Sequence, residues 1–170
     1  MNDLAAIFLQ LKGCKNTDTD RNEKSVVPRA PLNKTWRAII DSSLFGEWFK
    51  VKFETPFVAG ETIRGQITHP GYEHVAMDFG VGKIEPESYF SYRGHPFAVD
   101  TAYDYSGEPV TLVEFFLEEA LLEGNQRGTK LRIVESGFDG IPFERWEEAF
   151  RKNDGGWTGQ VRNIEKYVAI

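Results

Sequence analysis

The chain has one cysteine, Cys14, and no run of basic residues longer than two. A single cysteine excludes an internal disulfide and any cysteine-rich metal site, and it fits a reducing, cytoplasmic setting. A formal net charge of −6 without a basic cluster excludes the cationic face that a nucleic-acid backbone requires. No apolar run approaches the roughly 20 residues needed to span a bilayer, so membrane insertion is not expected. Also missing are a Gly-rich phosphate loop, a G-x-S-x-G elbow, an H-E-x-x-H pair and a C-x-x-C pair. Gly80-Val81-Gly82-Lys83 resembles a phosphate loop only superficially, because it sits in a strand pattern with no helix after it and reads as a bend in a sheet. His69 and His74 flank a turn and would need Glu73 or Asp78 to hold an ion; as turn histidines they read as solvated. Neither a cofactor nor a metal is therefore expected.

Aromatic residues, by contrast, are abundant: thirteen Phe, six Tyr and four Trp in 170 residues. They supply either a bulky core or an aromatic-lined pocket. The length suits one globular domain, set at residues 22–170, after an extension over residues 1–21 that is flexible or partly helical. Leu4–Leu11 is apolar but lacks a basic flank and a cleavage site, so it reads as a short helix or extension, not as a secretion signal. Lys12–Lys24 is polar and aperiodic and reads as a linker, with the domain proper starting near Arg21.

Ser25–Val27 is expected to be a short first strand, ended by Pro28. Pro31 opens a helix carrying Trp36, Ile39 and Ile40, and Asp41 or Ser42 caps a second with Leu44/Trp48 and Phe45/Phe49 at i,i+4. From Val51 to Ser136 the pattern alternates between strands and turns. His74–Ile84 places Val75, Met77, Phe79 and Val81 on one face; Ser88–Arg93 places Phe90 and Tyr92 together; Val110–Glu119 does the same for Val113, Phe115 and Leu117. A loop of about sixteen residues, Gly94–Pro109, is long enough to suggest a functional or mobile element. After the last strand, Trp146, Phe150, Trp157, Val161, Ile164 and Val168 fall on one stripe of a long helix. The class is therefore α+β: a curved antiparallel sheet of about six or seven strands wrapped around a long C-terminal helix, with two short helices after the first strand.

Two features do not fit a plain core. Period 2 places Glu135 inward beside Leu131 and Ile133, where a carboxylate must be hydrogen-bonded, whether as a structural cap or as part of a pocket. Gly155 and Gly156 stand mid-helix at a cost of about 2 kcal/mol relative to alanine. Close packing on a large aromatic is taken as the reason, ahead of a hinge or a helix break.

Lys34-Thr35-Trp36-Arg37-Ala38, Glu47-Trp48-Phe49, Gly82-Lys83-Ile84-Glu85-Pro86, Tyr92-Arg93-Gly94-His95-Pro96, Asp104-Tyr105-Ser106, Thr111–Phe115, Glu135-Ser136-Gly137-Phe138 and Asn153-Asp154-Gly155-Gly156-Trp157 occur in an order that is similar to the helix-grip (START/SRPBCC) superfamily. Within it the chain resembles the family of the activator of the heat-shock protein 90 ATPase, in its C-terminal-domain type. The resemblance covers about residues 22–169. It implies the helix-grip fold and a cavity between sheet and helix. One departure is Gly94, where relatives tend to carry an aromatic, which leaves extra room on that face.

Three functions follow from that resemblance, in order. The first is non-enzymatic binding of a small hydrophobic or aromatic molecule, lipids included. Val75, Met77, Phe79, Phe90, Tyr92, Phe115, Trp146, Phe150 and Trp157 would line the cavity, and Tyr92, His95 and Glu135 would orient the ligand. The second is a stress-related co-chaperone that contacts a heat-shock protein through an outer surface. The third is a polyketide cyclase-like enzyme using Glu135 or His95. No catalytic residue is assigned.

Overall fold

The computed structural model describes residues 17–169, so the readings of Leu4–Leu11 and Cys14 lie outside the described residues. A helical turn at Thr17–Asp20 leads into β1 (Arg21–Val26). β1 thus starts where the domain was expected to start, four residues ahead of the expected strand. Asn22 is the reason the alternation was hidden: this polar residue is buried, its side-chain amide donating to the Phe150 carbonyl at 3.3 Å.

Two short helices follow, α1 (Leu32–Ile40) and α2 (Ser42–Phe49). Asp41 separates them and caps the second, its Oδ1 accepting from the Ser43 and Leu44 N–H groups at 3.0 and 3.2 Å. Gly46 is obligatory in α2, because a Cβ there would collide with the Val51 carbonyl. The chain turns out of α2 through Lys50, at φ 67°, and returns against the helix.

The remaining strands are β2 (Val51–Phe53), β3 (Thr62–Ile67), β4 (Ala76–Glu85), β5 (Tyr89–Gly94), β6 (Thr111–Leu121) and β7 (Arg127–Ser136). They form one curved antiparallel sheet in the order β1-β7-β6-β5-β4-β3-β2. α1 and α2 therefore carry the chain from one sheet edge to the other. The register of β4 on β5 shifts between Val81 and Ile84, at the bend expected from Gly80–Lys83.

The last helix, α3 (Phe143–Val168), is continuous. Its C-terminal half is pinned to the end of α2. Gln160 and Asn163 donate to the Phe49 and Trp48 carbonyls, which have no partner within their own helix, and the Tyr167 hydroxyl donates to Glu47 at 2.6 Å. Between helices and sheet lies an aromatic core centred on the fully buried Phe45, with Trp48, Phe49, Phe53, Phe57, Phe79 and Phe115 at ring separations of 4.7–6.1 Å. Among the described residues no helix is long and apolar enough to cross a membrane.

Close packing does not account for the mid-helix glycines. A Cβ built on Gly155 or Gly156 meets nothing within 4 Å. The helix does not break there, and Gly156 borders open space described next.

Candidate functional site

Cross-strand register decides where the core ends and a cavity begins. Phe90, Phe115 and Ile133 are direct partners across β5, β6 and β7, and all three are fully buried. One step toward the β5 C-terminus on the same face, the partners are Tyr92, Val113 and Glu135. The next step on that face pairs Gly94 with Thr111. Side chains thus shrink along this face from two phenylalanines to a glycine, and α3 cannot follow the sheet down. A half-open cavity of about 570 Å³ results.

Its floor is Tyr92, Val113, Gly94 and Thr111; Met77 and Phe79 of β4 and Val75 before it form one wall; Asn153, Gly156, Trp157 and Gln160 of α3 form the roof. The loop from His95 to Ser106 closes one side. Gly94 borders the space without filling it, and a Cβ there would press on the Asp78 carbonyl oxygen at 3.2 Å.

Glu135 is the most distinctive group. It is 3% exposed and borders the cavity. Its Oε1 accepts from the Trp157 indole N–H at 2.9 Å and the Asn153 amide at 2.9 Å, and its Oε2 accepts from the Thr111 hydroxyl at 2.6 Å. Trp157 and Asn153 stand four residues apart on α3, so one helix face presents both donors. Burial pushes the Glu135 carboxyl above its ordinary range, against the pull of the Thr111, Trp157 and Asn153 hydrogen bonds. All its donors are side chains, so Glu135 does not cap backbone; it ties helix to sheet at the cavity.

The loop is fastened by a second polar cluster. Arg145 donates to both Glu108 carboxylate oxygens, at 2.8 Å to Oε2 and 3.2 Å to Oε1, and to the Pro96 and Phe97 carbonyls at 3.0 and 3.1 Å. Its guanidinium also lies 4.7 Å from the Tyr105 ring centroid. Glu108 accepts from the Tyr103 hydroxyl, and its backbone carbonyl lies 3.1 Å from His95 Nε2. Burial raises the Glu108 carboxyl, but the Arg145 and Tyr103 hydrogen bonds and the Arg145 charge outweigh it and hold the group below its ordinary value. At the mouth, the Lys152 ammonium lies 5.8 Å from the Phe97 ring centroid.

Of the expected lining residues, Val75, Met77, Phe79, Tyr92, His95, Glu135 and Trp157 border this cavity. Phe90 and Phe115 lie one row below its floor. Trp146 and Phe150 stack on each other at 5.2 Å, and Phe150 meets Phe138 edge-on, at the start of α3 and away from the space. Thr111, Arg145, Glu108, Phe97 and Lys152 were not singled out from the sequence. Asn153 had a usable signal, its i,i+4 relation to Trp157; the others are brought in by register and by the path of the loop. Among the described residues no group of His, Cys, Asp and Glu is arranged to hold a metal.

A curved seven-stranded antiparallel sheet gripping a C-terminal helix over a cavity is the helix-grip fold of the START/SRPBCC superfamily. Residues 29–169 match the pattern of the activator of Hsp90 ATPase homolog 1-like protein family, and the chain belongs to that family. No curated protein matches it in sequence. Solved structures carry the same fold. A Mesorhizobium loti protein is 22% identical with a TM-score of 0.62, over 86% of this chain and 96% of its own. The Aha1 dimer from Colwellia psychrerythraea is 17% identical with a TM-score of 0.62, over 88% and 96%. DynU16, a protein of the dynemicin biosynthetic locus, is 20% identical with a TM-score of 0.63, over 87% of this chain. This chain spans about half of DynU16, 46% of its length.

Proposed function

We propose that this protein is a non-enzymatic, cytoplasmic binding module that holds a small apolar or aromatic molecule between the sheet and α3. The observation that carries the reading is the cavity itself. Its volume of about 570 Å³ falls within the roughly 300–1,000 Å³ typical of small-molecule sites. Apolar and aromatic side chains such as Val75, Met77, Phe79, Val113 and Trp157 make up the larger part of its wall; Tyr92, His95 and Glu135 are among its polar groups, and Lys50, Arg64, Asp78 and Lys152 also border the space. Glu135 already accepts from three side chains, which supports a fixed polar anchor over a free acid or base of cyclase type. The family description supports a second reading, contact with a heat-shock chaperone, which would use the outer surface and not this space.

Among the described residues Trp157 is the tryptophan that borders the cavity, so its indole N–H is a direct reporter. Titration of ¹⁵N-labelled protein with fatty acids, sterols and aromatic polyketides is expected to shift that resonance saturably with at least one class, together with the Val113 and Met77 amides. If no compound moves it, while a chaperone ATPase responds to the protein, the second reading replaces the first.

A further inference from the structure

The row that floors the cavity leaves one buried donor unused. Tyr92 is 4% exposed, and its ring stacks on Phe79 at 3.8 Å with only 4° between the planes. Stack and strand together fix the direction of its hydroxyl. Tyr89, Tyr103 and Tyr167 all donate to carboxylates, at 2.6, 3.0 and 2.6 Å. The Tyr92 hydroxyl has no hydrogen-bond partner among the described residues, and it is not sealed in: among them Thr35 Oγ1 is the fully enclosed side-chain polar atom without a partner, so the Tyr92 oxygen opens onto the cavity that Tyr92 borders. A hydroxyl that opens onto the cavity can donate to whatever occupies it, and a ligand that displaces water there without accepting leaves that hydrogen bond unmade.

The surroundings limit what that partner is. Glu135 stands in the same cross-strand row with Val113 between, about 10 Å away from Cα to Cα at two strand spacings. Its charge disfavours an anionic group at this end of the cavity. Its acceptor positions are largely filled by Thr111, Asn153 and Trp157, which leaves little for a ligand cation to pair with at this end, while Lys50, Arg64 and Lys152 border the space elsewhere. Burial first, and then the Glu135 charge, push the Tyr92 phenol well above its ordinary value, so it stays protonated and can donate.

We propose that Tyr92 is a specificity-determining donor that recognises a neutral oxygen acceptor, a carbonyl or hydroxyl, on an aromatic or polycyclic ligand. This rests on the binding reading above and names the ligand chemistry. The remainder of such a ligand lies along Val75, Met77 and Phe79, and any acidic substituent projects outward toward Lys152.

A shape-matched series tests it: fluorene, 9-fluorenone, 9-fluorenol, fluorene-9-carboxylate and 9-aminofluorene, each titrated at pH 7 with the Trp157 indole resonance as readout. The ketone and alcohol are expected to bind about tenfold more tightly than the hydrocarbon, the advantage of one buried hydrogen bond over an unmade one. In Tyr92→Phe, which keeps the ring on Phe79, the advantage of ketone and alcohol over fluorene should fall to about onefold. Equal binding of ketone and hydrocarbon overturns the proposal while leaving the cavity reading in place. So does an advantage that survives Tyr92→Phe, or strongest binding by the carboxylate or the amine. No binding by any of the five, and no shift from the wider panel, overturns both.

Discussion

Among the described residues no cation pairs with Glu135 in the protein interior; the compensation comes from three neutral donors. Such a group is costly in its ionised form, and the cost has a definite pH signature. Its carboxyl is raised above the ordinary value, so this residue's contribution is most favourable below pH about 4.5. It is lost as pH rises through the folded-state value. Trp157→Phe keeps a ring against Phe115 but removes the indole donor. The unfolding free energy is expected to fall by about 1–3 kcal/mol at neutral pH, since a buried acceptor loses a partner. The neutral acid needs that donor less than the carboxylate does. The gap between variant and parent, measured by urea unfolding, should therefore widen from pH 4 to pH 7. A gap independent of pH would contradict this account of Glu135. The inward placement of Glu135 was legible from period 2 alone; its partners were not. Thr111 lies on another strand and Asn153 on the helix, and only the folded register brings them to one carboxylate.

At the scale of elements, the loop between β5 and β6 is one wall of the cavity, and Arg145 fastens it. The Arg145–Glu108 side chains are only 17% and 6% exposed, which sets this pair apart from the exposed ion pairs of the sheet surface. Arg145→Ala is expected to speed amide exchange across the loop by about tenfold or more, the loss of a charge-assisted bond, with β6 and β7 amides unchanged. Glu108 is held below its ordinary value, so the sign is opposite to that of Glu135. The stabilisation is present above pH about 4.5 and is lost as pH falls through the lowered value. Loop exchange in the parent protein, corrected for intrinsic rates, should accelerate on acidification before the strands respond. Equal acceleration of loop and strands would show that Arg145 supports the whole fold instead. The loop's length pointed to function in the sequence, whereas its fastening did not, because Arg145 and Glu108 are 37 residues apart and neither lies in a periodic pattern.

For the whole molecule, hydrophobic periodicity was enough to read a sheet of about six or seven strands, two small helices and a terminal helix, because each element hides one face. It was not enough to say where the inward face stops being core. Phe90 and Tyr92 share a face in sequence, yet one is in the closed core and the other floors the cavity. The difference lies in the cross-strand partners, Phe115 beside Phe90 and Val113 beside Tyr92. Trp146 and Phe150 continue the stripe of α3, but the helix has by then run beyond the cavity and they pack with Phe138. Gly155 and Gly156 were read as sites of close packing, and open space surrounds them. In each case the sequence shows the side chain and the tertiary arrangement supplies the neighbour.

The space above Tyr92, Val113 and Glu135 is the ligand site proposed for this protein. The most direct test is a set of intermolecular nuclear Overhauser contacts from any saturating ligand of the panel to methyl-labelled Val113 and Met77 and to the Trp157 indole. The account predicts contacts to all three, with none to Phe90 or Phe115, which lie beneath the floor. Contacts confined to exposed residues such as Leu121 or Phe143 would place binding on the outer surface and contradict it.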